Sequence, residues 1–508
     1  MVWGGRVGSI ASDERRAFLF IFFLAVMTRL VVWRLIPVDW NSDSYHHWQI
    51  SYLTLKIGLL RGRMYDLNGC ELYWGMVPHL VQAALLGAFF TSSLLPLRIF
   101  NVLLGSVNSF LVYLVGRKYY GDRVGFYAGI LFSLFPVVAV FDVLAMQETI
   151  ALAFALISVY LFTSRPGWSG FFLALACQSR IEYWLVSILF VVEIAFIKRW
   201  AAEVQAFTLC WLGVMGVFCT YFRFWTSNPV YPFYWSLYSV FKGWEGPNLV
   251  PLHTLMFNYI NEKSIAWLKK PTGLFLLGAF ILYIAVFVLS YRRRRDASPI
   301  LLFFLNLLVV FSPLYVPYYP RQVDNLLLML RESIPIAAIG LVLICRATER
   351  LNSLTAGLFR RVPLELILGL VILSSYFYFI PAYSRFQVDS QLCFGIADGV
   401  IRYYEGGTIV CDHPTINYRF VSEWGVGARS LLGNHYSPDY YHVTDPAEYA
   451  RWFKRHNITL WLYVDNRAYP VWTVVDRNLP GLLVFRDEVL GVRVYTVDHV
   501  VLDRFLSA

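Results

Sequence analysis

The sequence predicts a polytopic α-helical membrane protein with about eleven transmembrane helices and a small C-terminal α/β domain. Three observations predict it. Of the 508 residues, 58% are hydrophobic and only 15% are charged, whereas a soluble chain carries about 25% charged residues, and the mean hydropathy is +0.55. Apolar runs recur at close to the roughly 20 residues that cross a hydrocarbon core. From about residue 384 onward, polar and apolar residues interleave and no stretch could span. The chain is expected to divide into a membrane domain, 1–383, and a soluble domain, 384–508.

The spans are expected at about 17–36, 98–115, 124–141, 149–163, 169–180, 183–197, 205–222, 272–290, 299–316, 326–345 and 363–381. Basic clusters orient them, because cytoplasmic loops carry an excess of Lys and Arg. Arg15-Arg16, Arg117-Lys118 with Arg123, Lys198-Arg199, Arg292 to Arg295, Arg346 with Arg350, and Arg360-Arg361 all fall on one side with eleven spans. That count leaves Pro78 to Leu95 as a re-entrant or surface helix. It places the loops at about 37–97 and 223–271, and everything after Pro381, outside the cytoplasm of a plasma membrane. In the external domain, Thr408 to Cys411 and Ile458 to Val464 read as strands. Asp445 to His456 reads as a helix, with Asp445 as N-cap, Pro446 in the first turn, and an apolar face of Tyr449, Trp452 and Phe453.

Composition excludes several classes. The net charge of +10 is accounted for by the inner loops, so no nucleic-acid partner is expected. Seven Cys without CxxC spacing indicate neither a zinc site nor a disulfide framework. No cleavable signal peptide is expected, because Asp13-Glu14-Arg15-Arg16 precedes a span too long for one. Walker A, GxGxxG and HExxH patterns are missing, which leaves ATP-driven transport and nicotinamide chemistry unsupported.

The residues suited to chemistry lie at the outer ends of spans. Val38-Asp39-Trp40-Asn41-Ser42-Asp43-Ser44-Tyr45-His46-His47-Trp48 follows the first span at once. Asp43 could take a proton from an acceptor hydroxyl as general base; the plainer alternative is a loop carboxylate or a helix N-cap. Asp39 competes for that role. His46 is a candidate for substrate contact; His46 and His47, about 100° apart on a helix, would rarely share one metal ion. Asp142 and Glu148 form a second acidic group at a membrane-embedded turn, where carboxylates are costly and often functional; the alternative for Glu148 is a helix N-terminus. The third cluster holds Tyr319, a substrate-contact candidate, and Arg321, then Arg331-Glu332. A guanidinium at a span mouth can clamp phosphate, although Arg331 could instead pair with Glu332. Arg29, Arg34 and Arg180 with Glu182 are further intramembrane charges. Ser422-Glu423-Trp424-Gly425 could be a substrate-facing turn, and Asn457-Ile458-Thr459 is a glycosylation sequon.

In order, these elements resemble the C-type (GT-C) glycosyltransferase superfamily, which includes protein O-mannosyltransferases, aminoarabinose transferases and oligosaccharyltransferase catalytic subunits. The resemblance runs through Thr28-Arg29-Leu30, Asp43, Tyr73-Trp74-Gly75-Met76-Val77-Pro78, Leu97-Arg98-Ile99-Phe100, Gly116-Arg117-Lys118-Tyr119-Tyr120-Gly121, Phe135-Pro136, Gln147-Glu148-Thr149 and Asn228-Pro229-Val230-Tyr231-Pro232. It covers most of 17–345. It implies a polyprenyl-phosphate sugar donor, a protein or glycolipid acceptor, contact with membrane lipid, and inversion at the anomeric carbon. Carried over, Asp43 is the base, Asp142 or Glu148 the second acid, and Arg321 or Arg331 the partner of the leaving phosphate. No WWDYG-type motif is present, which weakens a metal-dependent oligosaccharyltransferase reading; that reading would bring in a divalent cation, Mg or Mn. A transporter or lipid flippase is the rival outside enzymes and would show repeat symmetry.

Overall fold

The computed structural model describes residues 13–67, 69, 71–198, 201–234, 298–311, 327, 330–354, 364–433, 445–464, 475 and 478–507, with seven isolated positions between 278 and 288. It is mostly helical. In chain order the helices used below are α1 (Glu14–Leu35), α2 (Ser42–Leu53), α3 (Val77–Ala88), α4 (Leu95–Tyr120), α5 (Asp122–Ser133), α6 (Pro136–Asp142), α7 (Glu148–Leu161), α8 (Pro166–Cys177), α9 (Glu182–Lys198), α10 (Ala202–Thr226), α11 (Pro299–Phe311), α12 (Ile334–Leu354), α13 (Leu364–Ser384) and α14 (Gln387–Val400).

Helices stand at most of the expected spans, but many are short. Among the described residues, four helical stretches are long and apolar enough to cross a membrane: Glu14–Leu35, Leu95–Tyr120, Ala202–Thr226 and Leu364–Tyr403. The bent pair α5 and α6, at 61°, would make a fifth. The count of about eleven is not reached by that measure. At 1.5 Å per residue, the 14 residues of α7 and 12 of α8 rise about 21 and 18 Å, against a core of about 30 Å. α3, also 12 residues, is equally short. The expected span at 272–290 falls mostly outside the described residues. The protein is a membrane protein by these helices and its composition.

Two compact units emerge. The first takes its described residues from 1–37, 98–241 and 251–385. Small residues let its helices close up: a Cβ on Gly170 of α8 would stand 2.1 Å from the carbonyl oxygen of Phe207 in α10, the kind of approach that packs membrane helices. Ala17 and Ile21 of α1 meet Tyr113 of α4 and Phe126 of α5 in a buried cluster. α6 starts at Pro136, whose missing N–H suits a first turn.

The second unit takes its described residues from 38–97 and 386–508. Its sheet has five strands: β1 (Thr408–Val410), β2 (Leu431–Leu432), β3 (Ile458–Val464), β4 (Leu483–Val489) and β5 (Val492–Val497), in the order β2-β1-β3-β5-β4. β1 is parallel to both β2 and β3, while β5 runs antiparallel to β3 and β4. Leu490 and Gly491 both have positive φ, as a tight β4–β5 hairpin requires. The helix Pro446–Arg455 is capped as expected, Asp445 accepting from the Ala447 N–H at 3.0 Å. Its Tyr449, Trp452 and Phe453 pack with Trp461 of β3 and Tyr495 of β5.

Candidate functional site

In the second unit the residues after the first span form α2. Asn41 caps it, its side chain accepting from the Asp43 N–H at 2.9 Å. Asp43 therefore stands half-buried in the first turn, where the helix dipole favours a carboxylate anion. Asp39 is buried instead. Its side chain accepts from the Asn41 N–H at 3.2 Å, and its backbone oxygen accepts from Tyr45 Oη at 2.7 Å.

Further along α2 lies a polar network of which the sequence reading reached only His46. His46 Nε2 sits 2.8 Å from Asp66 Oδ2, and Gln49 Nε2 donates to Asp66 Oδ1 at 2.8 Å. Asn417 Nδ2 donates to Gln49 Oε1 at 2.9 Å. The available signal was spacing: His46 and Gln49, three apart on a helix, share a face. His47 turns elsewhere, with Nδ1 3.0 Å from His79 Nε2. His79 Nδ1 lies 2.7 Å from the Gly75 carbonyl and must donate to it, so the neutral His79 accepts on Nε2 and His47 donates. Burial lowers His79 from 6.5 to about 4, which keeps it neutral. The two neighbouring histidines thus have different partners, as 100° of helical rotation dictates. Glu71, in the loop before α3, is raised from 4.5 to about 7 by burial and then by the Asp66 charge.

In the first unit, Asp142 and Glu148 go to different arginines. Arg29 donates to Asp142 Oδ2 from Nε (2.9 Å) and Nη2 (2.6 Å), and its other N–H groups reach the carbonyls of Ala25, Gly105 and Ser133 and the Ser109 hydroxyl. Thr149 Oγ1 donates to Asp142 Oδ1 at 2.7 Å. Gly105 is required here, since a Cβ would stand 2.2 Å from Asp142 Oδ2. The turn leading to Glu148 is fastened by α4. Arg98 Nε donates to the Val143 carbonyl at 2.7 Å, and Asn101 Nδ2 lies 2.7 Å from the carbonyls of both Leu144 and Met146.

Glu148, in the first turn of α7, bonds to Arg180 Nη1. Arg180 also holds Glu182 (Nη2 to Oε1, 2.7 Å) and Glu332 (Nη2 to Oε1, 2.6 Å). Arg331 joins through longer contacts, 3.3 Å to Glu332 and 3.6 Å to Glu148. Two guanidinium groups thus face three carboxylates, and Glu148 Oε2 and Glu332 Oε2 are buried without a hydrogen-bond partner. Arg321 and Tyr319 lie outside the described residues.

Among the described residues no three His, Cys, Asp or Glu side chains converge to hold a metal ion. Asp142 and Glu148 each pair with an arginine instead, so they do not fit a shared cation site.

The backbone resembles solved membrane enzymes. One is the oligosaccharyltransferase of Archaeoglobus fulgidus, in its apo form (TM-score 0.49, 10% identity, 89% of this chain and 69% of that one) and with Zn and sulfate (0.47, 11%, 86% and 67%). Another is ArnT from Cupriavidus metallidurans bound to undecaprenyl phosphate (0.40, 11%, 93% and 97%). With every score below 0.5, this likeness decides neither reaction nor substrate. No protein-family model and no curated protein matches the sequence.

Proposed function

We propose that the chain is an integral-membrane glycosyltransferase that moves a sugar from a polyprenyl-phosphate donor to a protein or glycolipid acceptor, with inversion, on the extracytoplasmic face. The observation that carries this reading is Asp43, set on a capped helix end a few residues beyond the first span. There a carboxylate meets both a water-borne acceptor and a lipid-borne donor. Asp43 takes the acceptor proton as the hydroxyl attacks the anomeric carbon, and the bond to phosphate breaks. General-base help of this kind is worth about 10²–10⁴-fold.

Arg331 and Arg321 supply positive charge to the departing phosphate, the electrostatic part of the step. Arg180 is withheld from that role, because its donors are held by three carboxylates. Of the two candidate second acids, Glu148 keeps one oxygen unbonded, whereas both Asp142 oxygens are engaged. Glu148 is therefore the better acceptor-orienting group. Asp39, His46 and Tyr319 shape the substrate side.

The test is transfer from a panel of polyprenyl-phosphate sugars by purified protein, wild type against Asp43→Asn, with and without EDTA. A loss of about 10²–10⁴-fold at unchanged melting temperature supports the reading. Equal turnover removes Asp43 from the mechanism, and sensitivity to EDTA brings in the metal-dependent branch. A wild type inert toward every donor favours the transporter.

A further inference from the structure

Two turns at one edge of the second unit present large apolar side chains outward. The first ends α3. There Phe90 adopts the left-handed conformation, φ +50°, that glycine ordinarily fills after a helix. The turn is fully bonded: Phe89 N–H to the Leu85 carbonyl (3.0 Å), Phe90 N–H to Gly87 (3.2 Å) and Thr91 N–H to Leu86 (3.2 Å). It displays Phe89 at 64% and Phe90 at 96% exposure. The second turn ends the continuation of α2, a π turn over Thr54–Gly58 and a 3-10 turn over Leu59–Arg61. The chain reverses there at Gly62, φ +68°, leaving Leu59 and Leu60 56% and 77% exposed. The turns are neighbours, since a Cβ on Gly87 would lie 3.3 Å from Leu55 Cδ1. Lys56 and Arg61 are exposed at the same edge.

Chain length says what this edge meets. Phe90 is five residues before Leu95, where a helix able to cross the membrane begins, and five residues reach at most about 18 Å. The linker is also tied down. Trp48 Nε1 donates to the Ser92 carbonyl at 2.8 Å, and Ser93 Oγ accepts from the Leu95 N–H at 3.1 Å. A left-handed, solvent-facing Phe tied this close to a spanning helix has lipid as its natural partner.

We infer that this edge is an anchor that dips into the leaflet beside the start of α4. Phe89, Phe90, Leu59 and Leu60 enter the acyl boundary, as apolar faces of interfacial segments do. Lys56 and Arg61 meet the phosphates of anionic phospholipids.

The test uses the full chain in nanodiscs of phosphatidylcholine, with or without phosphatidylglycerol. Photoreactive p-benzoylphenylalanine replaces Phe90 or Leu60 in separate variants. Phe23, exposed on α1, serves as the lipid-facing reference, and Phe485, exposed on β4, as the reference in the sheet. Lipid adducts at 90 and 60 comparable to those at 23, and about tenfold above those at 485, are expected of an inserted apolar tip. Lys56→Gln with Arg61→Gln should lower the yield at 60 in phosphatidylglycerol discs only. Adducts at 23 but not at 90 or 60, cross-links from 90 to protein, equal labelling at 485, or no dependence on phosphatidylglycerol would each overturn the corresponding part.

Discussion

The first unit buries two ionic clusters that differ in balance. Arg29 and Asp142 are matched one to one, and every donor of the guanidinium and both oxygens of the carboxylate have partners. Among the described residues, the cluster around Arg180 has three carboxylates to two guanidinium groups, and Glu148 Oε2 and Glu332 Oε2 are left over. A closed pair can only hold helices together. An open cluster, with carboxylate oxygens left over, can receive a donor from outside, whether a proton or a hydroxyl.

The most severe way to break this contrast is Arg29→Met. It strands Asp142 without compensation, and losing one partner of a buried pair costs about 3–5 kcal/mol. The melting temperature in detergent should collapse, and adding Asp142→Leu should restore most of it. A stable single variant would show that the pair is not structural.

The same chemical change made in each cluster sharpens the comparison. Asp142→Asn removes a matched charge and should cost about 2 kcal/mol or more, whereas Glu332→Gln alters a group with an oxygen left over and should stay within about 1 kcal/mol. Equal shifts in thermal unfolding would erase the distinction. In transfer assays the order should reverse for Glu148→Gln, with activity falling about tenfold or more while the fold holds.

The smallest effect concerns Glu71, another carboxyl with an unbonded buried oxygen but away from the spans. Burial, then the Asp66 charge, raise it from 4.5 to about 7, with Arg63 and His46 opposing. Across that window the folded state keeps a proton that the unfolded chain releases, so stability falls as pH rises. His79, lowered from 6.5 to about 4, acts in the opposite sense: the unfolded chain binds the proton, and stability rises with pH up to 6.5. The two oppose each other between about 4.5 and 6.5, and above that only the fall from Glu71 remains of this pair. Glu71→Gln should make the fall in melting temperature between pH 6.5 and 7.5 shallower.

Much of the fold was legible where the deciding chemistry is local. The Asp445 cap, the Pro446 start and the strands Thr408–Val410 and Ile458–Val464 rest on neighbours within a few residues. β4 and β5 went unread because charges such as Arg486, Asp487, Glu488 and Arg493 interrupt their apolar pattern. The span expected at about 124–141 is met by two helices bent by 61° at Phe135-Pro136, a break that the length of the apolar run does not reveal. In the site, single residues such as Asp43 and Glu148 could be nominated from the loops that carry them. The long-range contacts around them could not, because Asn417 meets Gln49 across 368 positions and Arg180 meets Glu332 across 152. No local pattern encodes such a meeting.

The Arg29–Asp142 pair also bears on how the chain is made. Its members are 113 residues apart, so Arg29 is synthesised long before its counter-ion. At about 5–20 residues per second that interval is roughly 6–23 s, during which α1 holds an arginine worth about 2.5–3.5 kcal/mol against insertion at a helix centre. The first span is thus a poor candidate for early release into lipid. It gains a reason to linger beside the insertion machinery until α6 delivers the carboxylate, which makes the order of membrane assembly a property of one ion pair.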